Sequence, residues 1–288
     1  MKLLAAIVLT LIPAAQSAHA DGWTNLMDGR MSQWDTYLSF SPDSSYRGRI
    51  PADAQGRPIE PIGYGRDPVG VFTVSDSSGE LVLRISGQIY GSIFTRQEFS
   101  NYRLKLRVKW GTTRWPPRQN GLRDSGVLYH SVGPAGADYW KAWMLSQEFQ
   151  VMEGHMGDYW NIAESAEDVR AFSPEGTMNA VANETRPFLP FGAKPSLGGL
   201  CLRSELFESR QGDWTDLELV CFGDKSLHIV NGHVVMVLRN SRSMKDGIAT
   251  PLTKGRIQLQ SEGSEVFFTG IRIQQITSLP AEFAHLYE

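Results

Sequence analysis

Between Tyr102 and Trp110 the chain alternates without a break. Tyr102, Leu104, Leu106, Val108 and Trp110 fall on one side, and Arg103, Lys105, Arg107 and Lys109 fall on the other. A period of two marks a half-buried β-strand, because successive side chains of an extended backbone point to opposite faces. The basic side is read as a solvent-facing sheet surface. Regular runs return at Leu217, Leu219 and Cys221, at Leu227 to Val230, and at Arg256 to Gln260. Between such runs lie turn formers: Asp76-Ser77-Ser78-Gly79, Asn231-Gly232 and Glu262-Gly263-Ser264. No stretch after the first twenty residues has a convincing helical period. About a dozen short strands with turns between them predict an all-β, two-sheet antiparallel jelly-roll sandwich with one curved face open to a ligand.

The first residues follow a different pattern. Lys2, the apolar run Leu3 to Ile12, Pro13 and the segment Ala18-His19-Ala20 have the layout of a secretory leader. Cleavage after Ala20 would leave residues 21–288 as a single exported domain, periplasmic or secreted. No apolar run reaches the roughly 20 residues of a membrane helix, so no membrane span is expected. The formal net charge of −3, with lysines and arginines scattered, gives no footprint for nucleic acid. Cys201 and Cys221 both lie in the exported part, where a bridge is favoured over two buried thiols. No pattern fixes the oligomeric state.

The densest chemistry lies between Trp143 and Trp160. Trp143, Leu145, Phe149 and Val151 share one face by alternation, and Ser146, Glu148 and Gln150 share the other. Glu153, His155 and Asp158 follow, interleaved with Gly154 and Gly157 and closed by Tyr159 and Trp160. Acids, an imidazole and stacking aromatics in one strand end read as the floor and rim of a binding site. Trp115, Trp140, Tyr159 and Trp160 are the rings available to stack on sugar C–H faces. His130 ends the preceding strand and comes near Glu148 if the two strands pair. His228 and His233 flank the Asn231-Gly232 hairpin and are expected at the surface. Glu148, Glu153 and His155 have the chemistry to hold a hard divalent cation, although their spacing is not diagnostic. Residues 41–68 form a long loop, either a lid or a solvated insertion. Residues 162–212 read as surface connection with one strand near Met178 to Asn183.

Glu148-x-Gln150-x-x-Glu153 resembles the Glu-x-Asp-x-x-Glu signature of laminarinase-type endoglucanases, with an amide in place of the middle acid. A broader resemblance runs through Gly22-Trp23-Thr24-Asn25-Leu26-Met27-Asp28-Gly29, Asp124-Ser125-Gly126-Val127-Leu128-Tyr129-His130, Gln147-Glu148-Phe149-Gln150-Val151, Gly212-Asp213-Trp214, Asn231-Gly232, Gly255 to Gln260 and Val266-Phe267-Phe268. In order and spacing these motifs are similar to the 3-keto-disaccharide hydrolase domain family. The resemblance implies a concanavalin A-like jelly roll and a hydrolase acting on glycosides oxidised at C3. The commoner family form has Asn-Ser-Gly and a closing Arg where this chain has Asp124 and His130.

A ketone at C3 acidifies the C2 proton, so the expected chemistry is proton removal, loss of the C1 substituent and addition of water. Glu148 is assigned as base, with Glu153 beside it, and His155 or His130 as donor or acid. Gln150, Arg123, Asp158, Tyr159, Trp160, Trp115 and Gln260 are assigned to the carbohydrate substrate. Two other readings use the same residues: a lectin-like carbohydrate-binding module and a laminarinase-type endoglucanase.

Overall fold

The computed structural model describes residues 22–193 and 197–288, and the leader reading falls outside them. Its first strands are β1 (Trp23–Asn25), β2 (Trp34–Leu38), β3 (Gly63–Tyr64), β4 (Phe72–Ser77), β5 (Glu80–Ile85), β6 (Gly91–Thr95) and β7 (Tyr102–Arg114). There follow β8 (Asp124–Val132), β9 (Leu145–Met152), β10 (Tyr159–Ile162), β11 (Ser165–Phe172), β12 (Ala180–Ala182), β13 (Phe188–Gly192) and β14 (Leu200–Leu202). The last are β15 (Thr215–Phe222), β16 (Lys225–Val230), β17 (His233–Lys245), β18 (Ile248–Pro251), β19 (Arg256–Ser261) and β20 (Ser264–Gln275), before a 3-10 helix at Ala281–Tyr287. That helix is too short and polar to cross a membrane, as is any other among the described residues.

Two sheets form the expected jelly-roll sandwich. The front sheet runs β3–β2–β6–β19–β8–β9–β10–β14–β12. The back sheet runs β4–β5–β20–β7–β15–β16–β17–β11–β13. β11 also pairs with β12, which joins the sheets along one side. Between them Leu104, Leu106 and Val108 of β7 and Val266 and Phe268 of β20 share a core with Val127 of β8, Phe149 and Val151 of β9, and Ile257 and Leu259 of β19. Each such side chain contributes about 1.5–3 kcal/mol on burial. Because the strand period is two, burying these residues turns Gly126, Glu148, Gln150, Gln258 and Gln260 to the opposite face of the front sheet.

On the back sheet's outer face the basic stripe is tied down among acids and rings. Arg103 bonds Glu218 at 2.6 Å, and Lys109 lies 4.7 Å from the centre of the Trp214 ring. Elsewhere the structure corrects the sequence reading. Residues 162–212 contain β11, an eight-residue strand hidden in the sequence because Ser165, Ala166 and Glu167 give no apolar alternation. His228 is fully buried rather than at the surface, since β16 lies inside the back sheet between β15 and β17. Its ring stacks on Phe149 at 4.3 Å. Cys201 and Cys221 are both free and buried, in separate core clusters, so the expected bridge is not formed. Trp143 precedes β9 and escapes its alternation. The long loop is partly anchored, with Tyr46 buried and its hydroxyl donating to Trp140 O at 2.7 Å.

Candidate active site

Strand register places the polar residues in two rows on the front sheet. In one row Ser92 of β6 stands beside Gln260 of β19, and Gly126 of β8 stands opposite Gln150 of β9. In the next, Phe94 pairs with Gln258, Gln258 with Leu128, Leu128 with Glu148, and Glu148 with Trp160 of β10. Trp160 is therefore the direct cross-strand neighbour of Glu148, and it is 38% exposed where most nearby side chains are buried. Gly126 is the gap in this array. A Cβ on it would stand 2.3 Å from Glu148 Oε1 and 2.5 Å from Gln260 Oε1, so only glycine lets those two side chains lean over β8.

Above the rows lies a cleft of about 760 Å³, within the range of small-ligand sites. Glu148, Gln150, Met152 and Trp160 form one part of its lining, and Arg118, Asp124 and Glu262 another. The loop carrying Asp138, Tyr139, Trp140, Lys141 and Trp143 forms a further wall, and Asn161 to Glu164 complete the lining. The Asp138 to Trp143 loop is organised by Asp138, whose buried carboxyl accepts the backbone N–H groups of Trp140, Ala142 and Trp143 at 2.6–2.8 Å. Tyr90 packs beneath, with its ring 6.1 Å from Trp143 and 5.7 Å from Trp140.

Two carboxyls converge on one guanidinium here. Arg118 Nη2 bonds Asp124 Oδ2 at 2.6 Å and also donates to Glu262 Oε1. Glu148 has no such partner: among the described residues no hydrogen bond or ion pair engages its carboxyl. Burial raises its proton affinity well above the usual carboxylate range, and Glu262 and Asp124 add to that while Arg118 opposes it. Asp124 and Glu262 are also raised, by burial first. The cleft thus holds a carboxyl whose proton affinity burial has raised and which faces open space.

Of the residues singled out in the sequence, the structure brings Glu148, Gln150 and Trp160 together on the cleft, with Gln260 immediately beside them. Trp140 and Asp124 also line the cleft, and the remaining ones lie elsewhere. Glu153 is engaged by Arg123 at 2.9 Å and Arg114 at 3.3 Å, while Arg123 Nε donates to Gly111 O. His155 Nδ1 is 2.9 Å from Asp158 Oδ2, and Arg203 takes the other Asp158 oxygen at 2.9 Å. Tyr159 points inward and donates to Gln147 Oε1 at 2.8 Å, because alternation sends it to the face opposite Trp160. Trp115 donates its indole N–H to Ser86 O at 3.1 Å. Leu128 stands opposite Glu148 in the β8–β9 pairing, and His130 lies two residues further on, within a register shift between Tyr129 and Val132. That histidine is fully buried, with φ at 52° and a pKa lowered to about 4 by burial. Glu148, Glu153 and His155 do not converge, and among the described residues no three His, Cys, Asp or Glu side chains are grouped to hold a metal ion.

The sequence reading passed over Arg118, Asp138, Lys141 and Glu262, all of which come from connections between strands. One signal was available: Glu262 follows Gln258 and Gln260, on the face of β19 away from the core, by the same step of two.

The site is thus a cleft on a two-sheet jelly roll, lined by buried acids, amides and an accessible tryptophan. The chain belongs to the 3-keto-alpha-glucoside-1,2-lyase-like domain family, whose model matches residues 22–274. Among solved structures it is similar to a proposed glycosyl hydrolase from Parabacteroides distasonis ATCC 8503, with 16% identity, a TM-score of 0.46, and coverage of 89% of this chain and 95% of that one. A second proposed glycosyl hydrolase of the same organism shares 18% identity at a TM-score of 0.44, covering 73% of this chain and 93% of that one. A carbohydrate binding module of Bacillus subtilis shares 11% identity at a TM-score of 0.39, covering 71% and 92%. No curated protein matches the chain.

Proposed function

We propose that this protein cleaves glycosides oxidised at C3 by elimination across C1 and C2, with Glu148 as the proton-transfer group. The observation that carries the reading is the Glu148 carboxyl itself: buried, unpaired and facing the cleft beside Trp160. A merely structural carboxylate in such a place would be paired, because an isolated buried charge is costly.

The chemistry follows from the ketone. Its electron withdrawal acidifies the C2 proton, which ionised Glu148 removes, and the electron pair of that bond passes into an enolate whose charge rests on the C3 oxygen. As the enolate collapses, the C1=C2 bond forms and the C1–O bond breaks. Glu148 then holds a proton that it can return to the departing oxygen, and water adding across the double bond completes hydrolysis. Arg118, fixed between Asp124 and Glu262, supplies the positive field against which negative charge develops. Trp160 offers a stacking face for a sugar ring, and Gln150 offers amide groups to hydroxyls. Because ionised Glu148 is the active form and its proton affinity is raised, kcat/KM should climb with pH through a limb well above the ordinary carboxylate range.

The test is a panel of paired native and 3-keto disaccharides with wild-type protein and Glu148→Gln. Cleavage confined to the 3-keto member, and lost on substitution, is expected. Undiminished cleavage by Glu148→Gln would overturn the assignment, and binding of native sugars without cleavage of either form would leave a lectin-like module.

A further inference from the structure

Two glutamines of β19 face the cleft side of the front sheet, and their amides are treated in opposite ways. Gln258 is locked: Ser92 Oγ donates to its Oε1 at 3.0 Å, Met144 N donates to the same oxygen at 3.3 Å, and its Nε2 donates to Ser131 Oγ at 2.9 Å. Gln260 is just as deeply buried, yet neither Oε1 nor Nε2 has a partner. A buried amide left unbonded is destabilising, and such groups are rare in folded proteins. This one lies beside the Glu148 carboxyl, which no hydrogen bond or ion pair engages among the described residues. Gln260 Oε1 and Glu148 Oε1 approach the same empty point above Gly126, at 2.5 Å and 2.3 Å.

We infer that Gln260 is the positioning residue for Glu148, turning its amide to meet the Glu148 carboxyl both when that group holds its proton and when it has lost it. The inference rests on the reading of Glu148 as the proton-transfer group. A primary amide suits the task because it carries an acceptor for the O–H of a carboxylic acid and two donors for a carboxylate. Gly126 leaves room for the rotation. A group that takes a proton and later returns it thereby keeps its orientation through both halves of the reaction, which is what proximity catalysis requires. The charged groups around Glu148 do not substitute for this partner. Asp124 on β8 and Glu262 after β19 bond Arg118 from the β7–β8 connection, and Asp138 in the β8–β9 connection is occupied by backbone N–H groups. Lys141 and Glu164 line the same cleft.

Gln260→Met keeps the length and removes the amide. The ionised form of Glu148 then loses a charge-assisted donor, while the protonated form loses only a neutral acceptor, so proton affinity rises. The acidic limb of kcat should move up by about one pH unit, with kcat below it falling about tenfold and KM changing less than about threefold. The melting temperature should hold or rise, since a buried unbonded amide has been removed. A carbon-13 NMR titration of Glu148 in the substrate-free protein reads the same upward shift without any substrate. An unmoved Glu148 titration in Gln260→Met overturns the inference. Should that variant not fold, Gln260→Asn, which withdraws the amide by one methylene, is read in the same way. Failure of the catalytic reading looks different: Glu148→Gln would still cleave, whatever the titration does.

Discussion

Gly126→Ala is the smallest change that should disable the site while leaving the fold standing. Gly126 is not among the residues with positive φ, so alanine meets no backbone penalty. The added methyl would lie 2.3 Å from Glu148 Oε1, 2.5 Å from Gln260 Oε1 and 2.9 Å from Gln260 Cδ. Ordinary contacts begin near 3.5 Å, so the Glu148 carboxyl must retreat by about 1 Å. A displacement of about 1 Å at a reacting group lowers the rate on the order of 100-fold. Both displaced side chains are free of hydrogen bonds, which puts the overpacking cost at the low end, about 1 kcal/mol. That corresponds to a fall of about 2–4 °C in Tm for a domain of this size. Steady-state kinetics on a 3-keto-glycoside, run beside a thermal melt, reads both numbers. A variant with kcat within about threefold of wild type and an unchanged melt would show that catalysis does not depend on the carboxyl above Gly126.

Three further substitutions probe other parts of the account. Glu167 is fully buried, accepting from Tyr129 at 2.8 Å and Ser226 at 3.0 Å, and burial raises its pKa from 4.5 to about 8. The folded state therefore keeps a proton that the unfolded chain gives up, so the contribution of Glu167 to stability is full below about pH 4.5, declines as pH rises toward 8 and levels off above it, losing on the order of a few kcal/mol. Urea melts across that range should show the slope in wild type and lose most of it in Glu167→Gln; an equal slope in both would refute the assignment. Trp160→Ala should raise KM about tenfold with kcat nearly unchanged, because stacking is made equally to substrate and transition state. Asp138→Ala leaves three loop N–H groups without their acceptor, and should cost about 3 kcal/mol and raise KM as the Trp140–Lys141 wall loosens; an unaltered melt would contradict that role.

The central strands could be read from the sequence because their signal is local. Phe149 and Val151 alternate with Glu148 and Gln150, and the core takes the first pair, so the second had to face outward from mid-sheet. What alternation cannot supply is the partner of a side chain, and the partners here are distant in sequence. Arg118 meets Glu262 across 144 residues, and no period links them. The Glu153 to Asp158 cluster misled for a related reason. Acids and an imidazole in one turn look like a site, but they are satisfied by Arg114, Arg123 and Arg203, none of which a periodicity could place beside them. His130 shows the limit of counting by twos. Leu128 holds the place opposite Glu148, and the register shift between Tyr129 and Val132 breaks the alternation at His130. The strand β11 escaped for want of apolar alternation, and the burial of His228 escaped because its partners Tyr129, Gly157 and Phe149 lie far away in sequence.

The most direct trial of the account is exchange at a single carbon. When a 3-keto-glycoside is incubated with the protein in deuterated water, the C2 hydrogen removed by Glu148 should be replaced by solvent deuterium in recovered substrate or in product, and a C2-deuterated substrate should react more slowly. Glu148→Gln should abolish both effects together with cleavage. Cleavage that proceeds with the C2 hydrogen retained, and with no isotope effect at that position, would contradict elimination and remove Glu148 from the role assigned to it.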